Sequence, residues 1–445
     1  MAGEKWRQIF QTGKETVEGA AVPATRKLYV NGTFSRQRPA NMIKIATGTR
    51  DNQRDIKLRA TQAMATLSAP ISADEAIEFL LMTLQGSVTP VAQTQGAPTV
   101  NVTPTTVATG GTIQAGTIIV AYTVTGPAGE SAPLALPSVT TTGATSTVTV
   151  PAVTPLPAGA TLVTYYLTGP GGAASTASYA GQNATGAAIT LAAPGNGTRF
   201  APASAPSGAN LWVFKPGQVL DTQTMEWYDG YNPWQARGCK AEELKFTGDI
   251  KADTKLDAQV WARELATANT VPPFAAVTAG LPDRTPNFIQ GWEARLYADP
   301  LGATPGTTVM PGTMTMWDVT IKNNMGRKYF ADNTQATGAI VLGELMVQAS
   351  ITLEGNANAM AEYANWDAAT KRLLRIELGN NGAGIGTTAL KPRMLIDVPG
   401  SWTAVDLTPE DNGTKAFKLT YDYVYDVTNA FGVAVSVYSS RGVAY

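Results

Sequence analysis

The sequence has no histidine and a single cysteine, Cys239, in 445 residues. The first absence removes Ser/His/Asp triads, Cys/His pairs, histidine zinc ligands and imidazole general bases. The second excludes an internal disulfide. Carboxylate enzymes remain chemically possible, but no motif places the required pair. The reading is a non-enzyme with no catalytic, cofactor-binding or metal-binding residues. No apolar run approaches the ~18 residues that span a bilayer. With a formal net charge of −1 and interspersed signs, there is no basic patch for nucleic acid and no polybasic face for a membrane. The N-terminus carries Glu4 and no apolar segment, so it does not read as a signal peptide, and synthesis in the cytoplasm is expected.

Charge is also scarce locally. The 115 residues from Gly96 to Asn210 contain only Glu130 and Arg199 as charged residues. Within this block Ile118, Val120, Tyr122 and Val124 alternate with Thr117, Ile119, Ala121 and Thr123, the period of a half-buried strand. Val163, Tyr165 and Leu167 repeat that pattern, and "GPAGESAP", "PLPAGA", "GPGG" and "APGNG" supply turn chemistry between strands. Threonine replaces charge on the outer faces, where a hydroxyl solvates a strand of high β-propensity. The block reads as a small sandwich at residues 96–210, and "AYTVTGPAGESAP" with "TLVTYYLTG" resembles fibronectin type III or bacterial immunoglobulin-like modules.

The flanks carry one order of elements twice. In the first copy an alternating strand at Ile56, Leu58 and Ala60 precedes "SADEAIEFLLMTLQG". Ser72 and Glu75 read there as a capping box, Gly86 as a stop, and Ile77, Leu80, Leu81 and Leu84 as a buried stripe. The long hairpin "EELKFTGDIKADTKLDAQVWARE" follows. In the second copy "GELMVQASITLEG" leads to the helix "NANAMAEYANWDAAT" and to the long pair "KAFKLTYDYVYDVTNAFGVAVSVYSS". There Tyr421, Tyr423 and Tyr425 are expected on one face and Asp422 and Asp426 on the other. The expected division is a first unit at 1–95 and 211–266, a Pro/Ala-rich linker at 267–288, and a second unit at 289–445.

Other candidates have plain readings. "GNNGAGIG", from Gly379, lacks a phosphate loop's Gly-Lys-Ser/Thr and reads as a flexible loop. "KADTKLD" lacks the glycine and terminal glutamate of a calcium loop. Cys239 is expected to be a small buried residue, and Trp227, Trp234 and Trp261 to be core or interface residues ahead of a carbohydrate site.

The opening "GAAVPATRKLYV", the segment "RGCKAEELKFTGDI", the strand, helix, strand order around "ISADEAIEFLLMTL" and a module spliced into a loop together resemble the tail tube proteins of long-tailed bacteriophages. The resemblance implies a mainly β (α+β) fold. It would comprise two tail-tube-type sheet units, each with one helix and a long β-hairpin, plus an inserted all-β immunoglobulin-like sandwich. It also implies a structural virion protein, assembled in the host cytoplasm, whose sheets close edge to edge into stacked rings. Its partners would be other copies of itself, the tape measure protein and genomic DNA in the channel, and the tail terminator and tail-tip proteins, with no membrane. Two units per chain imply a trimeric ring of pseudo-sixfold symmetry, and a single large unit a hexamer. Glu243, Asp249, Asp253, Asp257, Asp422 and Asp426 are then candidates for an acidic lumen, or equally for an ordinary solvated strand face. The alternative function is a surface, decoration or adhesin protein that binds host glycans through residues 96–210.

Overall fold

A computed structural model describes residues 8–44, 53–58, 60–267, 281, 286–312, 314–331, 335–407, 410–411 and 413–442. Most of the linker expected at 267–288 lies outside the described residues. The chain is mainly β. It opens with β1 (Ile9–Lys14), β2 (Arg26–Leu28), β3 (Asn31–Gln37), an arm of β4 (Ala40–Lys44) and β5 (Gln53–Leu58), β6 (Gln62–Pro70), helix α1 (Ala73–Thr83) and β7 (Val91–Gln93). The charge-poor block supplies β8 (Thr105–Val107), β9 (Gly116–Ile118), β10 (Val120–Gly126), β11 (Gly129–Glu130), β12 (Leu134–Ala135), β13 (Val139–Thr141), β14 (Thr147–Val150), β15 (Leu162–Leu167), β16 (Ser178–Asn183) and β17 (Ile189–Leu191). Then come β18 (Ala209–Phe214), β19 (Gln223–Tyr228), β20 (Pro233–Asp249), β21 (Lys255–Ala262) and β22 (Glu264–Thr267). The second half has β23 (Arg295–Pro300), β24 (Met314–Lys322), β25 (Gly326–Lys328), β26 (Ala339–Val341), β27 (Met346–Glu354), helix α2 (Ala357–Asp367), β28 (Arg372–Gly379), β29 (Arg393–Asp406), β30 (Glu410–Asp411), β31 (Thr414–Tyr423) and β32 (Ala434–Ser439).

The two halves share one plan. In the first, antiparallel pairing runs β1, β19, β20, β21, β6, β3. In the second it runs β23, β28, β29, β31, β27, β24. A β-bulge falls at the same step of each, between Ala241 and Glu243 in β20 and between Trp402 and Ala404 in β29. A bulge fixes register, because a one-residue slip would turn every side chain to the other face. With the bulges aligned, Gln223 corresponds to Arg372, and Glu78 of α1 to Glu362 of α2. Both glutamates are buried, and both accept a hydrogen bond from that corresponding residue, Gln223 Nε2 at 3.0 Å and Arg372 at 3.0 Å. The halves join through β20 and β24, with Glu243 opposite Lys322 and Asp249 opposite Met316.

The hairpin expected from "KAFKLTYDYVYDVTNAFGVAVSVYSS" does not form. β31 and β32 each pair with β29, on Gly400–Asp406 and Arg393–Asp397 respectively. β29 is long enough to give its two halves different neighbours, as β20 does with β21 and β22. The second unit's counterpart of the β20–β21 hairpin is therefore β29–β31. Nor does Ser72 close a capping box: its side chain makes no cap bond, and Glu75 instead lies 3.6 Å from Arg26.

The insertion is larger than its low-charge core. β7 and β18 flank it, pair with each other, and extend the second unit's sheet through β32. Trp212 on β18 is fully buried and donates its indole N–H to the Arg441 carbonyl. α1 is covered on both sides as a result, with buried residues around its whole circumference, whereas α2 buries only Ala359 and Glu362. In the block itself, β10, β11, β12, β15 and β16 form one layer, and β8, β14 and β17 with the β9–β13 pair form the other. Their shared core includes Tyr122, Val124, Val148, Val163 and Tyr165. The glycine-rich β28–β29 loop is not a free loop: Ile385 and Leu390 pack against Ala128 and Ala209, and the Ala389 N–H donates to the Ala128 carbonyl.

Candidate functional site

The joint between halves builds a sheet of eight antiparallel strands in the order β3, β6, β21, β20, β24, β27, β31, β29. Strand alternation gives it two unlike faces. Leu244, Phe246, Leu256, Val260, Val319, Ile321, Ile351 and Leu419 point to the helix side and are essentially solvent-free. Burying each such side chain stabilises by about 1.5–3 kcal/mol. The opposite face carries Ser35, Gln37, Thr66, Ser68, Gln259, Lys245, Thr247, Thr320, Ser350 and Thr420, and among the described residues no helix covers it.

This polar face gathers four of the six acids singled out in the sequence. Glu243 lies 3.8 Å from Lys322 across the joint. Asp257 stands between Lys245 and Ser68 in register. Asp422 accepts from Gln348 Nε2 at 2.9 Å, and Asp249, at the end of β20, accepts the Lys251 N–H at 2.9 Å. Asp253 is exposed in the β20–β21 turn, in a bridge with Gln290.

Asp426 does not belong with them. It lies beyond the end of β31 at 1% exposure and accepts from the N–H groups of Gly302, Thr428 and Asn429 and from Asn429 Nδ2. Burial raises its carboxyl, but these bonds outweigh that and hold it below the ordinary aspartate value. Tyr421 is buried and Tyr425 exposed, so the three tyrosines do not share a face.

Sequence reading missed the basic half of this face. Lys245, Lys255, Lys322 and Lys418 alternate with the acids, and Lys245 lies 3.9 Å from Asp318. The signal was present, since Lys245 and Lys255 sit in the same alternating strands as Asp249 and Asp257. Burial raises the Asp318 carboxyl against the pull of Lys245 and Lys418. A cleft of about 570 Å³ opens at one end, between Asp249, Asp253, Lys255, Asp318 and Lys418.

The remaining residues singled out are structural. Cys239 is fully buried, which pushes its thiol well above the usual range, with Glu15 adding to the effect. Trp227 stacks with Phe10 and Trp234, and the Arg327 guanidinium lies 4.6 Å over Trp261. Among the described residues no helix is long and apolar enough to cross a membrane.

The chain matches no protein-family model and no curated protein.

Proposed function

We propose that the protein is a structural subunit that assembles with copies of itself into rings, which stack into the tube of a bacteriophage tail and carry DNA through the channel. One observation carries this reading: a duplicated sheet unit joined edge to edge within the chain, with a strand edge open at each end. Among the described residues, nothing pairs with the side of β3 that faces away from β6 or with the side of Ser401–Val405 in β29 that faces away from β31. Open edges template further pairing. Because these two edges differ, their contact is head to tail, which generates rings or open filaments and not twofold dimers. Three copies contribute 24 strands. At about 4.8 Å per strand and a tilt of about 40° they enclose a barrel about 50 Å across, wide enough for a duplex.

The chemistry of the polar face suits a conduit. Its lysines are interleaved with carboxylates, so there is no basic track to grip phosphates and slow the passage of DNA. The inserted module lies on the helix side through β7 and β18, which supports its projecting from the outside of the tube. The test is negative-stain microscopy of the concentrated protein, with rings or tubes of threefold symmetry as the expected result. A monodisperse monomer at high concentration would reject the reading.

A further inference from the structure

The chain contains a finished example of the joint between its units, and its open edges match that example strand for strand. β20 corresponds to β29 and β24 to β3. Aligning the bulges of β20 and β29 places Glu243 on Ala404. Aligning the partners of β27 and β6 places Lys322 on Gln37. Glu243 and Lys322 are opposite one another in the internal joint. Their counterparts, Ala404 and Gln37, are both exposed.

A second element crosses the internal joint. Between β24 and β27 the β25–β26 hairpin folds over the first unit. Arg327 donates to the carbonyls of Ala63 and Ala262, Thr61 N–H donates to the Gln335 carbonyl, and Ile340 packs with Leu220 and Trp261. The β4–β5 arm occupies the same position between β3 and β6. Its pair Met42 and Ile56 corresponds to Arg327 and Ile340, yet is 57% and 53% exposed. On the matching part of the second unit, the counterparts of Trp261 and Ala262 are Asp422 and Tyr423. Just beyond them Tyr425 and Val427 are 58% and 83% exposed.

We propose that the partner of both open features is a second copy of this chain, bound in the register of the internal joint. β29 of one copy pairs with β3 of the next, with Ala404 opposite Gln37, and the β4–β5 arm of that next copy closes over the Asp422–Tyr423 end of β31. This rests on the ring-forming reading and adds to it the residues in contact and their alignment. A one-residue slip would turn the polar face of one copy toward the apolar face of its neighbour, so the register is strongly selected.

Cysteine pairs test it, because native Cys239 is buried and stays out of exchange. Gln37→Cys with Ala404→Cys should give disulfide-linked dimers and trimers on a non-reducing gel. Ser35→Cys with Ala404→Cys, two residues out of register, should not. Glu243→Cys with Lys322→Cys, the same step within one chain, is the geometric control and should close without a change in mass. Rings by microscopy, a closed control and no 37/404 link would overturn the register while leaving the ring reading in place. Absence of rings together with absence of links would overturn both. Because Met42 and Ile56 are exposed, Met42→Asp with Ile56→Asp should keep the native circular dichroism and abolish assembly. Rings that persist in this variant would overturn the role of the arm.

Discussion

Glu78 and Glu362 occupy one position in two helices, each six residues beyond its N-cap, at Ser72 and Asn356. Each is buried against arginine: Glu78 lies 3.2 Å from Arg26 and 2.8 Å from Arg441, and Glu362 lies 3.0 Å from Arg372. Glu362 also accepts the Trp402 indole N–H at 2.7 Å. Removing one member of a buried pair strands the other charge, at about 3–5 kcal/mol. Glu362→Ala should therefore lower the unfolding free energy by about that amount in urea melts. Glu78→Ala should cost at least as much, because two arginines each lose a carboxylate contact.

The joint between the halves depends on Gly248. A Cβ there would stand 2.4 Å from the Trp317 ring nitrogen and 2.5 Å from the adjacent ring carbon, and neither the indole nor the strand beneath can yield cheaply. Gly248→Ala should cost about 1–3 kcal/mol through overpacking. Displacement of the indole should appear as a change in tryptophan fluorescence of the folded protein.

Acid should loosen the second unit at a defined place. Asp299 is fully buried and accepts from the N–H groups of Gly306, Thr307 and Thr308. Burial raises its carboxyl, but these bonds and that of the Thr307 hydroxyl more than offset this and hold it below the ordinary value, as at Asp426. For a depressed carboxyl the stabilisation is complete above the unfolded value of about 3.9 and is lost as pH falls through the folded value. The double variant Asp299→Asn, Asp426→Asn should lose about 1–3 kcal/mol at pH 7 and show a shallower loss of stability below pH ~4. An acid limb as steep as that of the parent would count against this account.

The inserted module should be removable. Gln93 and Ala209 face each other on β7 and β18, so residues 94–208 can be replaced by an Asn-Gly turn with the ladder intact. The shortened protein should fold, give the same ring symmetry in micrographs, and have a smoother outside. Exposure of Ile385 and Leu390 should be its main cost.

Much of this was legible in local pattern. The strict alternation from Glu243 to Trp261 and the scarcity of charge from Gly96 to Asn210 located a hairpin and an inserted sandwich. The block's two charges in fact pair with each other, Arg199 to Glu130 at 2.9 Å. What escaped depends on partners distant in sequence. Periodicity marks the strand Thr414–Tyr423 but cannot reveal that its partner is β29 and not the strand after it. Asp426 continues an apparent alternation, yet the strand ends at Tyr423, and the Asp426 carboxylate accepts the N–H groups of Thr428 and Asn429 in the turn closed by Asp426 and Phe431. Lys245 and Lys255 were readable within their own strands, but Glu243 and Lys322 come from different halves, so their pairing became visible only when β20 met β24.

Fusing two units in one chain changes the cost of closing a ring. Six separate units must come together in five encounters, each paying the loss of translational and rotational freedom, before the sixth joint closes the ring. Here β20 meets β24 during folding, at an effective concentration set by the intervening chain and independent of how much protein is present. The proposed ring of three then needs only two encounters before its last joint closes, and its formation should depend on subunit concentration with about half the steepness. The internal joint is also the better fastened, since Glu242 accepts the Met325 N–H across it at 2.7 Å, whereas the matching bulge position at the open edge is Thr403. Disassembly would accordingly begin between chains and release whole, folded pairs of units.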